Sequence, residues 1–501
     1  MGQAIPKKLR EKIESKQTNR PLVLAAVMLA MFMAAIEATI VATAMPAIVG
    51  DLGGFSLYSW VFSSYLLMNA VTVLIYGKLS DLFGRKPILI FGIIVFLIGS
   101  ILSGFATSMK LLILFRFIQG FGAGAVMPIA STIVGDMYNK EERAKIQGYL
   151  SSVWGISAIM GPALGGVFVE FVSWRLVFWI NVPLGILAII VLVLFLHEGI
   201  EKKKHSIDLL GAILLFIAIS SIMFVLVEGG VRFSWTSPTV LSLVAISLIA
   251  FILFVWQEKH VQDPMMPFAI WKEKSIFIAN LTSLTTGVML IGISSFLPAF
   301  VQGVMERSPI VAGFTLTTMS IGWPIASTVA GRMLLKIGFR TTSLIGGVAL
   351  IFGSVIFVTL SPDDGPLWAA FASFMVGIGM GMTTTSFIVS IQSTVEWQMR
   401  GVATAANMFM RTLGSTIGAA LLGGILNSKL QSYIRSEGIE NVSLESMNIL
   451  LNEQERNALS ESVRSVLQEG LTISLHYVYW GVFVFAVISF LLIIFLPKGQ
   501  R

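Results

Sequence analysis

The chain has 501 residues, 55% of them hydrophobic and only 12% charged, against roughly 25% charged in an average soluble domain. That balance cannot cover the surface of a soluble protein of this length, and the absence of cysteine excludes disulfides and thiolate metal sites. A net charge of +7 would suit a nucleic-acid partner, but the basic residues sit in short loops between apolar runs, which reads as membrane topology and not as a phosphate-binding face.

Residues 1–20 are polar and basic, with Lys7, Lys8, Arg10, Lys12, Lys16 and Arg20 against Glu11 and Glu14. In the apolar run that follows, Ala42-Thr43-Ala44 has the form of a signal-peptidase site. Glu37 interrupts that run and many further spans follow it, so an uncleaved first helix is predicted. Apolar segments recur at roughly 22–44, 58–76, 88–106, 111–135, 144–170, 174–196, 207–227 and 238–256. The series continues at roughly 275–300, 311–330, 342–360, 366–392, 401–425 and 474–496. Each can cross a ~30 Å hydrocarbon core as a helix, which satisfies its own backbone in lipid, so about fourteen membrane helices are expected.

Loop charge supports the count. Alternate loops carry Lys78, Arg85 and Lys86, then Lys140, Arg143 and Lys145, then Lys202, Lys203 and Lys204. The same series goes on with Lys259, Lys272 and Lys274, then Arg332, Lys336 and Arg340, then Arg400, then Lys498 and Arg501. The remaining short loops are poor in Lys and Arg, so both termini are expected on the cytoplasmic side of a cell membrane. The stretch 427–470 is long, polar and slightly acidic. Leu444, Met447, Leu450 and Leu451, and Leu459, Val463, Val466 and Leu467, fall at helical spacings, so short amphipathic helices on the outer surface are expected. A cap over the exit is one reading of this stretch, and a plain connecting loop is the favoured one.

An internal repeat sets the architecture. The basic turn Gly77-Lys78-Leu79-Ser80-Asp81-Leu82-Phe83-Gly84-Arg85-Lys86 has a weaker copy running from Gly331 to Arg340, 331 − 77 = 254 residues later. Arg143-Ala144-Lys145-Ile146-Gln147-Gly148, followed by Gly155 and Gly161, is likewise echoed by Arg400-Gly401-Val402-Ala403-Thr404-Ala405, followed by Gly414 and Gly418. The fold class expected is therefore an all-α membrane protein of two six-helix halves in the same orientation, with the substrate site at their interface. The divisions are a tail at 1–20, a first half at 21–200, an inserted helix pair at 201–260, a second half at 261–497 that includes the 427–470 loop, and a C-terminal tail at 498–501.

These motifs together resemble the major facilitator superfamily. Gly77 to Lys86 resembles its signature loop between helices 2 and 3, and Arg116-Phe-Ile-Gln119-Gly120-Phe-Gly122-Ala-Gly124 its helix-4 motif. Gly155 with Gly161-Pro162-Ala-Leu-Gly165-Gly166 resembles the helix-5 motif of antiporters. Trp174-Arg175, Phe178, Ile180-Asn181, Pro183 and Gly185 resemble a signature of the fourteen-helix drug:proton antiporter family, as do Glu37 to Pro46 in helix 1 and Arg400 to Gly418 in helix 13. Three departures stand out. Glu37 occupies a position where that family usually has Asp, Leu335 stands where the first copy of the turn has Asp81, and the run Phe314–Ala330 has no acidic residue.

Ionisable groups inside a span are costly and are functional candidates. Glu37 lies about 15 residues into an outward-running helix 1 and Arg116 about five residues into an inward-running helix 4, so the two reach similar depth. They are the proton-coupling candidates, with an anchor for a cationic substrate or a fixed salt bridge as the other readings. Arg411, near mid-membrane in helix 13, has no acidic residue within a helical turn, and a distant carboxylate, the cavity or backbone carbonyls can receive it. With the resemblance added, Gly77, Asp81, Gly84, Arg85 and Lys86 are gating candidates that latch the halves in one state. Gly155, Gly161, Gly165 and Gly166 give helix 5 a small-residue packing face, and Pro162 kinks it. Met33, Glu37, Asn69, Gln119, Trp154, Phe296, Trp323, Met408 and Arg411 are the substrate-cavity candidates, Met and aromatic surface being adaptable to varied ligands.

No phosphate-binding glycine loop, metal-ligand spacing or nucleophile–base motif is present, so no cofactor, no metal, no nucleic acid and no enzymatic activity are expected. The expected protein is a monomeric, proton-coupled exporter of varied amphipathic or cationic drugs working by alternating access. The alternatives are a narrow antibiotic or metabolite exporter and a ligand-binding sensor or scaffold. The expected partners are small-molecule drugs, protons and the lipid bilayer.

Overall fold

The computed structural model describes residues 18–138, 140–198, 208–261, 264, 266, 268–395, 400–437, 443–451, 453–456 and 459–497. The basic tail up to Lys16, the Lys202–Lys204 cluster and residues 498–501 lie outside these. Thirteen helices among the described residues are long and apolar enough to cross a membrane. One of them, Pro309–Val358, has 50 residues and at 1.5 Å per residue would be roughly 75 Å long, more than twice a ~30 Å core. Gly338 breaks it at φ 79°, ψ 170°, so it is two spans and the total is fourteen.

In chain order the spans are α1 Arg20–Leu52, α2 Tyr58–Phe83, α3 Arg85–Gly104, α4 Met109–Met137, α5 Lys140–Phe171, α6 Leu176–Phe195, α7 Leu209–Glu228 and α8 Pro238–His260. After these come α9 Lys274–Ala299, which ends in a π turn at Phe300–Val304, then α10 (309–337), α11 (339–358), α12 Pro366–Thr394, α13 Arg400–Glu437 and α14 Glu461–Ile494. Polar caps start several of them where the apolar runs begin. Asn19 accepts from Leu22 N, Ser108 from Leu111 N and Asp208 from Gly211 N, each satisfying an orphan donor of the first turn.

The expected basic turn is tighter than the sequence implies. Gly77 to Phe83 completes α2, and only Gly84 leaves the helix, at φ 98°. Its repeat partner Gly338 also has positive φ, and 338 − 84 = 254 residues, the offset of the repeat. A single residue in this region reverses the chain between two spans without a Cβ penalty.

α1–α6 and α9–α14 form the two halves, and α7–α8 lie between them in sequence. α7 leans on α2 of one half and α13 of the other, and Trp60 Nε1 donates to Glu228 Oε1 at 3.0 Å at its end. α8 packs on α7 and is the least covered span.

The two faces of the molecule differ. On the face holding Gly53 and Gly54 (the Gly53 side), one hydrophobic core spans both halves and joins Ile40, Met45 and Phe62 to Phe300, Leu316 and Tyr479. Hydrogen bonds between the halves gather there. Tyr58 Oη donates to Ser295 O at 2.5 Å, Asn427 Nδ2 to Ser56 O at 2.8 Å and Gln302 Nε2 to Thr43 O at 3.1 Å. On the face holding Gly84 and Gly338 (the Gly84 side), each half has a core of its own, Val23 to Leu196 in one and Ile270 to Leu496 in the other, and a further cluster at the α7–α8 edge joins Leu67 and Val71 of α2 to Phe409 and Met410 of α13. The halves are closed on the Gly53 side and cleft on the Gly84 side.

α5 makes the seam. A Cβ on Gly165 would stand 2.8 Å from Ile40 O of α1, and one on Gly166 2.8 Å from Ile310 Cα of α10. A Cβ on Gly161 would run into the Thr39 hydroxyl, and one on Gly313 of α10 into the carbonyl of Pro162. These small residues let α5 pack against its own half and the opposite half together. Gly313→Ala meets backbone, which cannot rotate away, so it is expected to cost about 1–3 kcal/mol of overpacking. Because the clash lies between halves, it shifts the closed-to-open ratio by roughly 5- to 150-fold. Thiol labelling of a cysteine placed at Thr43, which is fully buried here, reads that shift as faster modification.

The 427–470 stretch departs from the favoured expectation. α13 runs on to Glu437 and α14 starts at Glu461, so the connection is shorter than the polar composition implies. It holds the short helical pieces Leu444–Ser446, Met447–Leu451 and Glu453–Arg456. These are docked and do not form a plain loop. Met447 and Leu450 are fully buried, and Glu445 accepts from Gly54 N at 3.0 Å and Ser56 Oγ at 2.7 Å. Asn448 Oδ1 accepts from Phe55 N at 3.0 Å, and Glu306 is ion-paired with Arg464. The apolar positions at helical spacing are what this segment buries. The segment is docked on the Gly54–Ser56 corner of the other half.

Candidate functional site

Glu37 on α1 and Arg116 on α4 meet as the depth count predicts. Both are almost fully buried, and Arg116 Nη1 donates to Glu37 Oε1. The second carboxylate oxygen is also occupied, because Asn181 Nδ2 of α6 donates to Glu37 Oε2 at 2.6 Å. Arg116 Nη1 donates further to Gln119 Oε1 at 2.7 Å, one helical turn on. Ser100 of α3 closes the ring. Its hydroxyl accepts from Gln119 Nε2 at 3.1 Å and Asn181 Nδ2 at 2.9 Å, and donates to Phe178 O at 2.9 Å. The face of the guanidinium lies 4.1 Å from the ring centroid of Tyr65, within cation–π range.

Every member of this network belongs to α1–α6. Asn181 Oδ1 is buried with no hydrogen-bond partner among the described residues. A buried ion pair with both oxygens satisfied is tolerable, whereas removing one charge leaves the other uncompensated at about 3–5 kcal/mol. Protonation of Glu37 is such a removal. The arrangement can therefore convert a proton into a change of several kcal/mol in the stability of one packing of the first half.

Sequence reasoning did not give Asn181, Ser100 or Tyr65 a role in the site. A neutral polar residue in an apolar helix is a weak signal, since many bond their own helix, as Thr72 does to Met68 O and Ser474 to Gly470 O. The other cavity candidates divide. Met33, Gln119 and Phe296 are fully buried, Phe296 against Tyr58 with ring centroids 5.7 Å apart. Trp154 and Met408 are 39% and 38% exposed, while Asn69, Trp323 and Arg411 are half-buried. Arg411 Cζ lies 5.9 Å from the Trp323 ring centroid, across from α13 to α10.

A sequence profile of the Major Facilitator Superfamily matches residues 27–419. The chain belongs to this superfamily. It is 33% identical over 495 residues to Multidrug resistance protein 3 of Bacillus subtilis (strain 168), with 97% of each chain covered. It is 34% identical over 420 residues to Multidrug transporter protein MdtP of the same organism, covering 83% of this chain and 77% of that one. Among solved structures, a bacterial homolog of the human lysosomal transporter Spinster, inward-facing and unoccupied, superposes with a TM-score of 0.70 at 17% identity, over 95% of this chain and 97% of its own. That likeness is one of fold. The chain is a multi-pass membrane transporter and not an enzyme.

In this major facilitator chain the signature turn is tied to its own half. Arg85 Nε donates to Asp136 Oδ2 at 3.1 Å and Arg85 Nη1 to Ser80 O at 3.0 Å. Lys86 Nζ donates to Val193 O at 2.9 Å and Leu196 O at 2.7 Å, capping α6, where the helix dipole favours a cation. Glu198 accepts from Arg85 N and Lys86 N at 2.8 and 3.0 Å. The backbone of Asp81 is helical, and its side chain lies outside the described set. A Cβ on Gly77 or Gly331 would meet nothing within 4 Å.

Proposed function

We propose that this chain is a proton-coupled exporter of structurally diverse amphipathic drugs, acting as a monomer in the cell membrane with both termini cytoplasmic. The Gly84 side is then the inner face and the Gly53 side the outer face. The two halves, 21–200 and 261–497, rock about their interface to expose the cleft alternately, with 201–260 as an inserted pair. Gly77, Asp81, Gly84, Arg85 and Lys86 hold the halves together when the inner face closes. Printed names of relatives such as Multidrug resistance protein 3 support a broad drug range, and the sealed Glu37–Arg116 pair supports proton coupling.

Both oxygens of Glu37 are occupied within the first half, so Glu37 is assigned to the proton and not to anchoring a cationic drug. Inward movement of a proton down 100 mV supplies about 2.3 kcal/mol. The test is accumulation of a panel of unrelated drugs in inside-out vesicles energised with an acid interior. Uptake of several drugs that collapses when the gradient is dissipated is the expected result. Uptake of one compound only would replace this reading with a narrow exporter, and binding without uptake would replace it with a sensor or scaffold.

A further inference from the structure

Three faces of α13 are accounted for around Arg411. Asn407, Gly414 and Ser415 face α9, where Asn407 Nδ2 donates to Ser283 Oγ at 2.8 Å and Ser415 Oγ to Gly287 O at 3.0 Å. Phe409, Met410 and Leu413 pack with Leu67 and Val71 of α2 and with α7. The remaining face, with Thr404, Met408 and Arg411 at helical spacing, turns toward α12 and α10. Gln392 Nε2 of α12 donates to Thr404 Oγ1 at 3.3 Å, and Trp323 of α10 receives Arg411. This face looks into the second half's side of the cleft.

Arg411 lies 11 residues from Arg400, roughly 16 Å along α13 at 1.5 Å per residue, near the middle of a ~30 Å core. Among the described residues its guanidinium has no carboxylate and no hydrogen-bond acceptor, and it lies 5.9 Å from the Trp323 ring centroid. The other ionisable groups deep in the described spans, Glu37 and Arg116, neutralise each other. The interior therefore carries a formal surplus of one positive charge, and it stands on the cleft wall. A half-buried guanidinium near mid-membrane is only partly hydrated and gains from an anion that meets it, and its planar fork matches a carboxylate or sulfonate.

We propose that Arg411 is the headgroup site of the substrate cleft and selects amphipathic compounds bearing an anionic group, such as an aromatic carboxylate, whose body lies on Trp323 and Met408. This rests on the export reading for its biological meaning, but the binding preference stands on the geometry alone. It reverses the charge class that the sequence favoured.

The test uses two xanthene dyes of similar tricyclic body and opposite charge, anionic fluorescein and cationic rhodamine 123. Their binding to the purified full chain in nanodiscs is followed by fluorescence polarisation. The wild type is expected to bind fluorescein at least about tenfold more tightly. Arg411→Gln removes that preference, Arg411→Glu inverts it, and Arg411→Lys retains part of it because charge survives while the bidentate fork does not. Equal or tighter rhodamine 123 binding by the wild type overturns the proposal, as does a fluorescein preference that survives in folded Arg411→Gln. If Arg411→Gln fails to fold, the wild-type preference and its partial loss in Arg411→Lys decide. Arg411-dependent fluorescein binding without any transport would sink the export reading and keep this one. Export of both dyes with no preference would do the opposite.

Discussion

Transport is expected to stop when cysteines at Ser56 and Glu445 are joined by a short bifunctional thiol reagent, and to return when a cleavable linker is reduced. Ser56 lies at the α1–α2 corner of the first half and Glu445 in the docked segment of the second, with Ser56 Oγ donating to Glu445 Oε1 at 2.7 Å. Gly54 N and Phe55 N are held by the same segment, at 3.0 Å each to Glu445 and Asn448. Opening the Gly53 side separates these partners, so a covalent link fixes the arrangement seen here. The chain has no other cysteine, and each single variant serves as its own control. Losing the Glu445 hydrogen bonds costs about 1 kcal/mol each, so Glu445→Cys alone transports but closes less firmly. Full transport by the linked protein would overturn the assignment of this segment as the outer closure.

The same contact has a pH dependence of definite sign. Burial raises the Glu445 carboxyl, but hydrogen bonds from Ser56, Asn448 and the backbone at Gly54 and Ser56 outweigh it and hold the group below its ordinary value. A depressed carboxylate stabilises the contact above the free-group value near 4.3 and loses that stabilisation as pH falls through the lowered one. The closure is therefore at full strength at neutral pH and weakens only in acid below about pH 4.3. Accessibility of a cysteine at Thr43 against pH reads it, and a transition near neutrality would contradict it.

Arg116→Ala and Glu37→Gln have the second large effect, and they differ in kind. Arg116→Ala strips Glu37 of its counter-charge at a site almost without solvent access, and is expected to cost about 3–5 kcal/mol of stability. Glu37→Gln imitates the protonated state. An amide still accepts from Arg116, so the protein is expected to fold, but the buried guanidinium is unneutralised whatever the pH and, under the proposed proton coupling, no proton would be carried. Drug binding survives while concentrative transport falls to background. The double variant Glu37→Gln/Arg116→Ala removes both charges and is expected to regain stability without regaining coupling, the signature of a shared term. A thermal-unfolding series across the four proteins measures this. Additive losses would mean that the two residues do not act as a pair.

Much of this was legible in the chain. Apolar length alone gave fourteen spans, because a membrane helix must bury a run that a soluble one would interrupt. The 254-residue offset between Gly84 and Gly338 marked two positions whose backbone needs positive φ. Glu37 and Arg116 were paired by counting residues from opposite faces, which works because helix rise is fixed. What stayed hidden depended on contacts between distant segments. Asn181 and Ser100 are neutral and look like any small polar residue in a span until Glu37 and Gln119 are beside them. The docking of Glu445 and Asn448 on the Gly54–Phe55 backbone has no sequence pattern beyond a cap-like helical spacing, and composition pointed the wrong way. Arg411 was visible as an isolated charge, but its unpaired state required knowing what every face of α13 touches.

The most direct measurement is proton movement per drug molecule in proteoliposomes holding the purified chain, with Glu37→Gln alongside. Adding a transported drug to wild-type vesicles should move protons in the opposite direction, in fixed proportion to drug flux. The Glu37→Gln vesicles should bind the drug and move no protons. Drug flux without proton movement in the wild type, or undiminished proton movement in Glu37→Gln, would contradict a proton-coupled exporter built on this carboxylate.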